Sequence, residues 1–272
     1  MRIIAAIAIV SLVAVLPAGA QDVRLRRLET GDDSRGWNGV GRINLGRKGF
    51  CTGALIAPDL VLTAGHCLFD KETGARIDVS QIEFLAGWRN GRAEAYRGVR
   101  RAIAHPDFIY GGQEKLERVA HDIALIELDQ PIRLPSIQPF ATAAQPVTGA
   151  QVGIVSYGRD RADAPSLQEV CTVLGQRPRM LVLSCDVDFG SSGAPIFSVV
   201  NGVPFVVSVV SAKAEVDGKQ VALGTSLAVP LADLQAQLAE DDGVFQRIQP
   251  PVEVLSAQES GGAKFLRPSD AP

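Results

Sequence analysis

The sequence has 272 residues, of which 46% are hydrophobic and 21% are charged, and its formal net charge is -3. A chain of this length can bury one large core or two modest ones, and its slight acidity gives no indication of a nucleic-acid-binding protein. The 27 glycines and the low aromatic content favour short strands and turns over long helices.

The first 20 residues have the pattern of a secretory signal peptide. Arg2 supplies a positive start, an uncharged and mostly apolar run extends over 3–16, and Ala18-Gly19-Ala20 fits a small-residue cleavage site. The run is too short for a comfortable membrane span. We therefore expect a protein exported to the periplasm or to the medium, with its fold beginning after residue 20.

Residues 21–36 are polar and contain several arginines, so we expect a flexible arm or a short propeptide there. Strand patterns then fill two regions, which are separated by a proline-rich segment at about 132–148. In the first region they predict strands at Val40–Leu45, Phe50–Ile56, Leu60–Ala64, Ile82–Leu85, Ala95–Ala104 and Ile123–Leu128. In the second they predict strands at Ala150–Tyr157, Glu169–Leu174, Leu181–Cys185, Ala194–Val200, Pro204–Ala212 and Gln220–Val229. Short strands with frequent turns predict an all-β protein, and two such regions predict two barrels.

The chain ends with one helical pattern and an aperiodic segment. Leu231, Leu234 and Leu238 have helical spacing after Pro230, which predicts a helix over 230–240. Residues 241–272 are rich in proline and glycine without periodicity, and we expect a disordered tail.

Four cysteines, Cys51, Cys67, Cys171 and Cys185, would be exported to an oxidising compartment, which predicts two disulfides. Three pairings are possible, of which the one between sequence neighbours joins 51 to 67 and 171 to 185. No C-x-x-C pair is present and no histidine has ligand spacing, so we expect no metal site.

A tight turn, Gly190-Ser191-Ser192-Gly193, is a candidate for presenting a nucleophilic serine. The flanking glycines permit backbone angles that a side chain forbids. Serine is a weak nucleophile alone and needs a base that is itself oriented by a third group.

The chain has three histidines, of which His66 is the best candidate for that base, because an apolar strand leads into it and Cys67 follows it. His105 is interpreted as structural or surface, and His121 as a solvated neighbour of Asp122. Asp122 opens a strongly apolar strand, where a partly buried carboxylate needs partners. The alternative is an ordinary aspartate at the turn before a strand.

Three blocks in the order His, Asp, Ser resemble the active-site motifs of the trypsin/chymotrypsin-like serine endopeptidases. They are Thr63-Ala-Gly-His66-Cys67, Asp122-Ile-Ala-Leu125 and Gly190-Ser-Ser192-Gly-Ala-Pro195. The stretches around Cys51, His105 and Tyr157 and the helix at 230–240 resemble other parts of the same family. The resemblance covers about residues 37–240 and implies two six-stranded antiparallel β-barrels, about 37–131 and 147–229, followed by the C-terminal helix.

The resemblance also implies the chemistry. Ser192 would attack the scissile carbonyl, His66 would transfer the proton, and Asp122 would orient the imidazole. The backbone N–H groups of Gly190 and Ser192 would form the oxyanion hole. The sequence is thereby identified as an exported serine endopeptidase, and the resemblance implies a monomer without cofactors that acts on proteins or peptides, with no nucleic-acid partner and no membrane association after signal cleavage.

Ser191 departs from the family pattern Gly-Asp-Ser-Gly-Gly-Pro. In activated zymogens of this family that aspartate pairs with a newly released N-terminal amine. Residues 21–50 also lack the usual Ile/Val-Val-Gly-Gly start. We therefore expect activity that needs no free amine at a defined residue.

Two residues are candidates for the specificity pocket. Asp186 lies six residues before Ser192, the place that selects Arg or Lys in trypsin, and Ser211 would line the pocket wall. A structural aspartate is the alternative, because the position of Cys185 and the Gly-Ser-Ser-Gly turn resemble bacterial glutamyl-endopeptidase-type relatives.

Two other functions have weaker support in the sequence. An α/β-hydrolase esterase requires Gly-x-Ser-x-Gly between a strand and a helix and the order Ser, Asp, His, and this chain has neither. A catalytically silent binding protein of the same family is the remaining alternative, although such relatives usually lose a member of the triad.

Overall fold

The computed structural model describes residues 24–111 and 115–244. The strands in these residues are β1 (Arg26–Arg27), β2 (Val40–Leu45), β3 (Phe50–Ala57), β4 (Leu60–Thr63), β5 (Ile82–Ala86), β6 (Ala95–Ala104), β7 (Ala124–Leu128), β8 (Gln151–Ser156), β9 (Ser166–Arg177), β10 (Met180–Leu183), β11 (Pro195–Val200), β12 (Val203–Val216) and β13 (Lys219–Ser226). The α-helices are α1 (Lys115–Ala120) and α2 (Ala228–Val244). Each of the twelve predicted strands is present, with ends shifted by a few residues.

Strands β2 to β7 form a closed antiparallel barrel in the order β2-β3-β4-β7-β6-β5. Alternate residues of each strand point to its interior, which is filled by Ile43, Leu55, Val61, Phe84 and Ile126 among others, all fully buried. Leu125, on the opposite face of β7, is buried as well. Burial on both faces explains why this strand is a continuous apolar run rather than an alternating one.

Strands β8 to β13 form a second closed antiparallel barrel, in the order β8-β9-β10-β13-β12-β11, with β11 pairing back to β8. Its core contains Ile154, Val173, Leu183, Ile196 and Val207. The expected fold class, two six-stranded antiparallel barrels, is confirmed.

The N-terminal segment differs from the flexible arm expected over 21–36. Its described part begins at residue 24, and β1 adds to β9 through the pairs Arg26↔Leu167 and Arg27↔Ser166. Leu28 is fully buried and its N–H donates to the carbonyl of Pro165. The polar composition of this segment led us to expect an exposed arm. The pairing of β1 with β9, about 140 residues away in the sequence, leaves no pattern in the local sequence that could have predicted it.

The helices also differ from the prediction in extent. Helix α1 was not predicted, and α2 begins two residues earlier and ends four residues later than the predicted helix at 230–240. Pro230 is the third residue of α2, where the backbone N–H has no intrahelical partner to lose. Among the described residues, no helix is both long and apolar enough to cross a membrane. The predicted signal peptide and nearly all of the predicted tail lie outside the described residues.

Both disulfides join sequence neighbours. Cys51 on β3 is bonded to Cys67, and Cys171 on β9 to Cys185. The first ties the segment after β4 to the first barrel, and the second ties the segment before the 190–193 turn to the second barrel. Each closes a loop of about 15 residues, worth about 3 kcal/mol in the chain-entropy model.

Acid should weaken the loop after Cys67 through Asp70. Lys48 Nζ lies 2.6 Å from Asp70 Oδ2, and the N–H groups of Glu72 and Thr73 donate to Oδ1. These contacts, the Lys48 hydrogen bond first, lower the pKa of the Asp70 carboxyl to about 2, below its unfolded value of about 3.9. The stabilisation is therefore present above about pH 4 and lost as the pH falls through about 2.

We predict that Asp70→Asn lowers the Tm at pH 7, and that the Tm difference from wild type shrinks towards zero at pH 2. Thermal unfolding followed by circular dichroism between pH 2 and pH 7 measures it. Asp217→Asn, in the exposed β12–β13 turn, is the matched control. A Tm difference that is constant with pH would contradict the prediction.

Candidate active site

His66 is placed by the end of β4 and by a disulfide. The chain leaves β4 at Thr63 and enters a short 3₁₀ helix, Gly65–Leu68, that carries the histidine. Thr63 Oγ1 donates to the carbonyl of Thr52 on β3 at 2.9 Å, and Cys67 is bonded to Cys51 on the same strand. The backbone on both sides of His66 is therefore fixed to β3.

Asp122 lies between α1 and β7 and is 2% exposed. Its Oδ2 atom is 2.7 Å from His66 Nδ1, and its Oδ1 atom accepts the backbone N–H of His66 at 2.7 Å. The hydroxyl of Ser211 on β12 donates to Oδ2. Three donors thus satisfy the oxygens of a buried carboxylate, as buried polar groups require. The pairing also fixes the His66 tautomer, with the proton on Nδ1 and the lone pair of Nε2 available.

The turn at 190–193 presents Ser192 and buries Ser191. Gly190 and Gly193 have φ angles of 96° and 74°, in the region that strains any residue with a Cβ. A side chain at Gly193 would also collide with Thr63 Oγ1 and the carbonyl of Thr52. The N–H of Thr52 donates to the carbonyl of Ser192 at 2.9 Å, so the turn is bonded to the strand that also anchors His66.

His66, Asp122 and Ser192 line a single cavity of about 610 Å³. The other lining residues are Lys71, Tyr110, Gly111, Arg118, Val187, Asp188, Phe189, Val210, Ser211, Ala212 and Lys213. Within the described part of the chain, the backbone N–H groups of Gly190 and Ser192 have no hydrogen-bond acceptor. Two free donors beside a partly exposed serine can bind an oxyanion.

The two residues expected in the specificity pocket lie elsewhere or act differently. Asp186 is exposed and does not line the cavity of Ser192. It lines a smaller neighbouring cavity, and its N–H donates to Gln168 Oε1 at 2.8 Å. Ser211 lines the larger cavity, but its hydroxyl is directed to Asp122. Spacing along the chain could not show which way either side chain points.

Lys213 was missed by the sequence analysis. It lies two residues after Ser211 on β12 and lines both cavities. An exposed lysine in a strand carries no signal of its own. Alternation along the strand could not have placed it either, because the register of β12 shifts between Val210 and Ala212.

The other two histidines lie outside this cavity. The side chain of His105 is buried, and its ring stacks on that of His121 with centroids 5.0 Å apart. His121 Nε2 is 2.6 Å from Arg179 Nη1. Burial, together with His105 and Arg179, lowers the pKa of His121. His121 is therefore only partly solvated, because His105 and Arg179 pack against its ring.

Comparison with known proteins gives the same family as the motifs around His66, Asp122 and Ser192, the trypsin family. The family model described as Trypsin matches residues 30–233, about three quarters of the chain. The glutamyl endopeptidase of Bacillus licheniformis is 27% identical over 150 residues, covering 55% of this chain and 45% of that protein. A modular serine protease of Drosophila melanogaster is 30% identical over 89 residues, covering 32% of this chain and 14% of that protein. The matches therefore span less than half of the length of these two relatives.

A solved structure has the same fold. It is described as the structure of a Glu endopeptidase in complex with MPD, and it superposes with a TM-score of 0.66 at 18% identity, covering 81% of this chain and 98% of that one. Its similarity supports the two-barrel architecture seen in the described residues. Because the family model spans most of the two barrels, the chain belongs to the trypsin family of serine proteases.

Proposed function

We propose that the protein is an exported serine endopeptidase that cleaves peptide bonds through His66, Asp122 and Ser192. The observation that carries this proposal is the buried His66–Asp122 pair, joined at 2.7 Å, in the same cavity as a serine flanked by two free backbone N–H groups. Nucleophile, base and orienting group are the three components that serine catalysis requires.

The reaction proceeds in two halves. Ser192 Oγ attacks the scissile carbonyl while His66 Nε2 accepts its proton, and the resulting oxyanion is bound by the N–H groups of Gly190 and Ser192. His66 then protonates the amine as the C–N bond breaks, leaving an acyl group on Ser192. A water molecule, deprotonated by His66, hydrolyses this ester and regenerates the serine hydroxyl.

Asp122 is the orienting and charge-stabilising group in this scheme. Because it accepts from both the ring and the backbone of His66, it fixes the position as well as the tautomer of the imidazole. It also stabilises the imidazolium that forms when Ser192 is deprotonated. The Ser211 hydroxyl limits rotation of the carboxylate and is a positioning group.

The alternative function, a silent binding protein of the same fold, requires a defect in this constellation. The residues in all three catalytic positions have the required chemistry, and the Ser192 side chain is accessible from the cavity. Export is supported by the signal pattern of residues 1–20 and by the two disulfides, which persist in oxidising compartments.

We propose further that substrates with acidic side chains near the cut are preferred. Apart from the triad, the charged residues that line the cavity in the described part of the chain are the cations Lys71, Arg118 and Lys213 and the carboxylate Asp188. Complementary charge favours acidic partners in binding and in association rate. Two of the similar proteins are described as glutamyl endopeptidases. Asp186, which would favour Arg or Lys, lies outside the cavity.

Charge reversal at Lys213 is predicted to change this preference. In Lys213→Glu, kcat/KM for peptides cleaved after Glu should fall about tenfold or more. For peptides that have Gln in place of that Glu, kcat/KM should change little, because only the Glu side chain is attracted by the Lys213 charge. Lys219→Glu, on β13 outside both cavities, is the matched control. Equal effects of the two substitutions, or a wild-type preference for Arg or Lys, would refute the acidic preference.

Covalent labelling tests the proposed function directly. The purified protein is treated with a fluorophosphonate, and the modified peptide is identified by mass spectrometry, alongside cleavage of a peptide library. We expect a single adduct on Ser192 and peptide cleavage that the reagent abolishes. Absence of both labelling and cleavage, or an adduct at another residue, would contradict the proposal.

A further inference from the structure

The loop that carries Ser192 is held by a partly buried guanidinium on a different part of the chain. Arg161 lies at the end of a short 3₁₀ helix, Arg159–Arg161, that follows Gly158. Its Nη2 atom is 3.2 Å from Ser191 Oγ, and its Nη1 atom donates to the carbonyl and hydroxyl oxygens of Ser156 at 2.6 and 3.1 Å. It therefore connects strand β8 to the residue immediately before Ser192.

Ser191 is the centre of this network and is completely buried. Its hydroxyl oxygen also lies within hydrogen-bond distance of the carbonyl of Tyr157 (3.2 Å) and of the N–H of Asp188 (3.3 Å). The Ser191 backbone N–H donates to the carbonyl of Asp188 at 2.9 Å. A buried hydroxyl with so many partners has a single orientation, so it transmits the position of Arg161 to the turn.

The surrounding charges favour a cation at this point. Burial lowers the pKa of the Arg161 guanidinium, and the carboxylates of Asp186 and Asp188 oppose that decrease. An arginine remains protonated in proteins, so the Arg161 guanidinium is a permanent charge that these two carboxylates stabilise at longer range.

The same 3₁₀ helix sets the orientation of one oxyanion-binding peptide. The N–H of Arg159 donates to the carbonyl of Phe189 at 2.7 Å. In a trans peptide the C=O and the following N–H point in opposite directions. Fixing the Phe189 carbonyl towards Arg159 therefore directs the Gly190 N–H the other way, where it has no acceptor among the described residues. Thr52 Oγ1 holds the next carbonyl, that of Gly190, at 2.8 Å.

The 3₁₀ helix is itself anchored to the first barrel and to β1. The carbonyl of Ala162 accepts from Trp88 Nε1 at 3.0 Å and from Arg42 Nη1 at 3.2 Å. Arg27 of β1 forms an ion pair with Asp163 at 2.8 Å. Because this turn is held in place by both contacts, the Arg161 cation can position the Ser192 loop without cleavage of the chain at another point.

We infer that Arg161 is a positioning residue that holds the oxyanion-binding loop in its active form through Ser191, in place of a released N-terminal amine. The inference depends on the proposed peptidase function. It implies that the oxyanion site is formed as soon as the chain folds, and that activity is independent of where the N-terminus is cut before β1.

The test compares Arg161→Gln with Arg133→Gln, which removes the same charge at an exposed position. We expect kcat of Arg161→Gln to fall about 100-fold, comparable to loss of one oxyanion donor, with KM changed less than threefold and Arg133→Gln unchanged. Arg161→Lys should recover only part of kcat, since an ammonium cannot reach both serines as the planar fork does. A kcat for Arg161→Gln within threefold of wild type would overturn the inference.

Substitution of Ser191 separates positioning from folding. Ser191→Ala removes only a hydroxyl, and we expect kcat to fall about tenfold in a protein that remains folded, with a lower Tm because buried partners lose a hydrogen bond. Combined with Arg161→Gln, it should add little to the loss, because both substitutions interrupt one contact. Ser191→Asp, which offers Arg161 a carboxylate, should stay within a fewfold of wild type. Additive losses in the double variant would refute the inference, and full kcat in Ser191→Ala would refute it even if Arg161→Gln fails to fold.

The wild-type protein distinguishes this inference from the proposed function. If wild type neither cleaves peptides nor reacts with a fluorophosphonate, the peptidase proposal fails and the inference fails with it. If wild type is active and Arg161→Gln is equally active, only the inference fails. Forms that begin at residue 21 or carry additional residues before it are expected to have the same kcat, and activity confined to one trimmed form would contradict the inference.

Discussion

Replacement of Ser192 by alanine is expected to lower kcat about 10⁶-fold, the size of loss that follows removal of a serine nucleophile in comparable triads. The backbone of the turn should be unchanged, because its geometry depends on Gly190, Gly193 and the hydrogen bond from Thr52 rather than on the Ser192 hydroxyl. Steady-state peptide hydrolysis measures the effect, with the Tm as the test of folding.

Ser191→Ala is the informative control for this prediction, because the two serines are adjacent and only one is accessible. Its expected loss of about tenfold is five orders of magnitude smaller than that of Ser192→Ala. If Ser191→Ala eliminated activity and Ser192→Ala retained it, the choice of nucleophile would be wrong. Residual activity of Ser192→Ala above about 1% of wild type would show that another group performs the reaction.

Replacement of Asp122 by asparagine is expected to lower kcat about 10⁴-fold at neutral pH. The carboxylate accepts three hydrogen bonds, from the ring and backbone of His66 and from Ser211. An amide has one acceptor oxygen and two N–H donors, so it cannot satisfy all three donors. The His66 ring would then be held with its proton on Nε2, where it cannot accept the proton of Ser192.

The control for this prediction is Asp129→Asn, at the far end of β7 and outside the cavity. It should retain full kcat. Thermal unfolding of Asp122→Asn shows whether the protein remains folded, and ¹⁵N chemical shifts of the histidine rings report the tautomer of His66. A kcat within tenfold of wild type, or a His66 proton that remains on Nδ1, would contradict the assigned role of Asp122.

The two predictions differ in what they remove. Ser192→Ala eliminates the covalent intermediate, whereas Asp122→Asn leaves the nucleophile in place and disables its base. Arg161→Gln removes neither and weakens only the oxyanion site. A graded series of about 10⁶, 10⁴ and 10² in kcat is therefore expected, and a different order would require a reassignment of roles.

Local patterns in the sequence were sufficient for the barrels and the three candidate catalytic residues. Alternation and apolar runs located twelve strands because each barrel strand buries one face or both. His66, Asp122 and Ser192 became candidates because the motifs that contain them resemble the active-site motifs of a known family. The neighbouring-cysteine pairing, one of three possibilities in the sequence, is the one that the structure contains.

Only the tertiary structure decided how side chains from distant segments meet. Leu28 was expected in a flexible arm, but β1 pairs with β9 and buries it. Asp186 was a candidate for the specificity pocket, but it lies outside the cavity of Ser192, while Lys213 lines that cavity. Strand periodicity predicts the face of the strand on which a residue lies. It does not predict which distant segment of the chain packs against that face.

The clearest example is the pair Ser191 and Arg161, which are 30 residues apart. The sequence by itself identified Ser191 as a departure from the family pattern and predicted that no released amine would be needed. It could not identify the group that replaces the amine, because an arginine in a short turn has no local signal. The fold brings its guanidinium to the buried hydroxyl, and this contact explains how the loop carrying Ser192 is held.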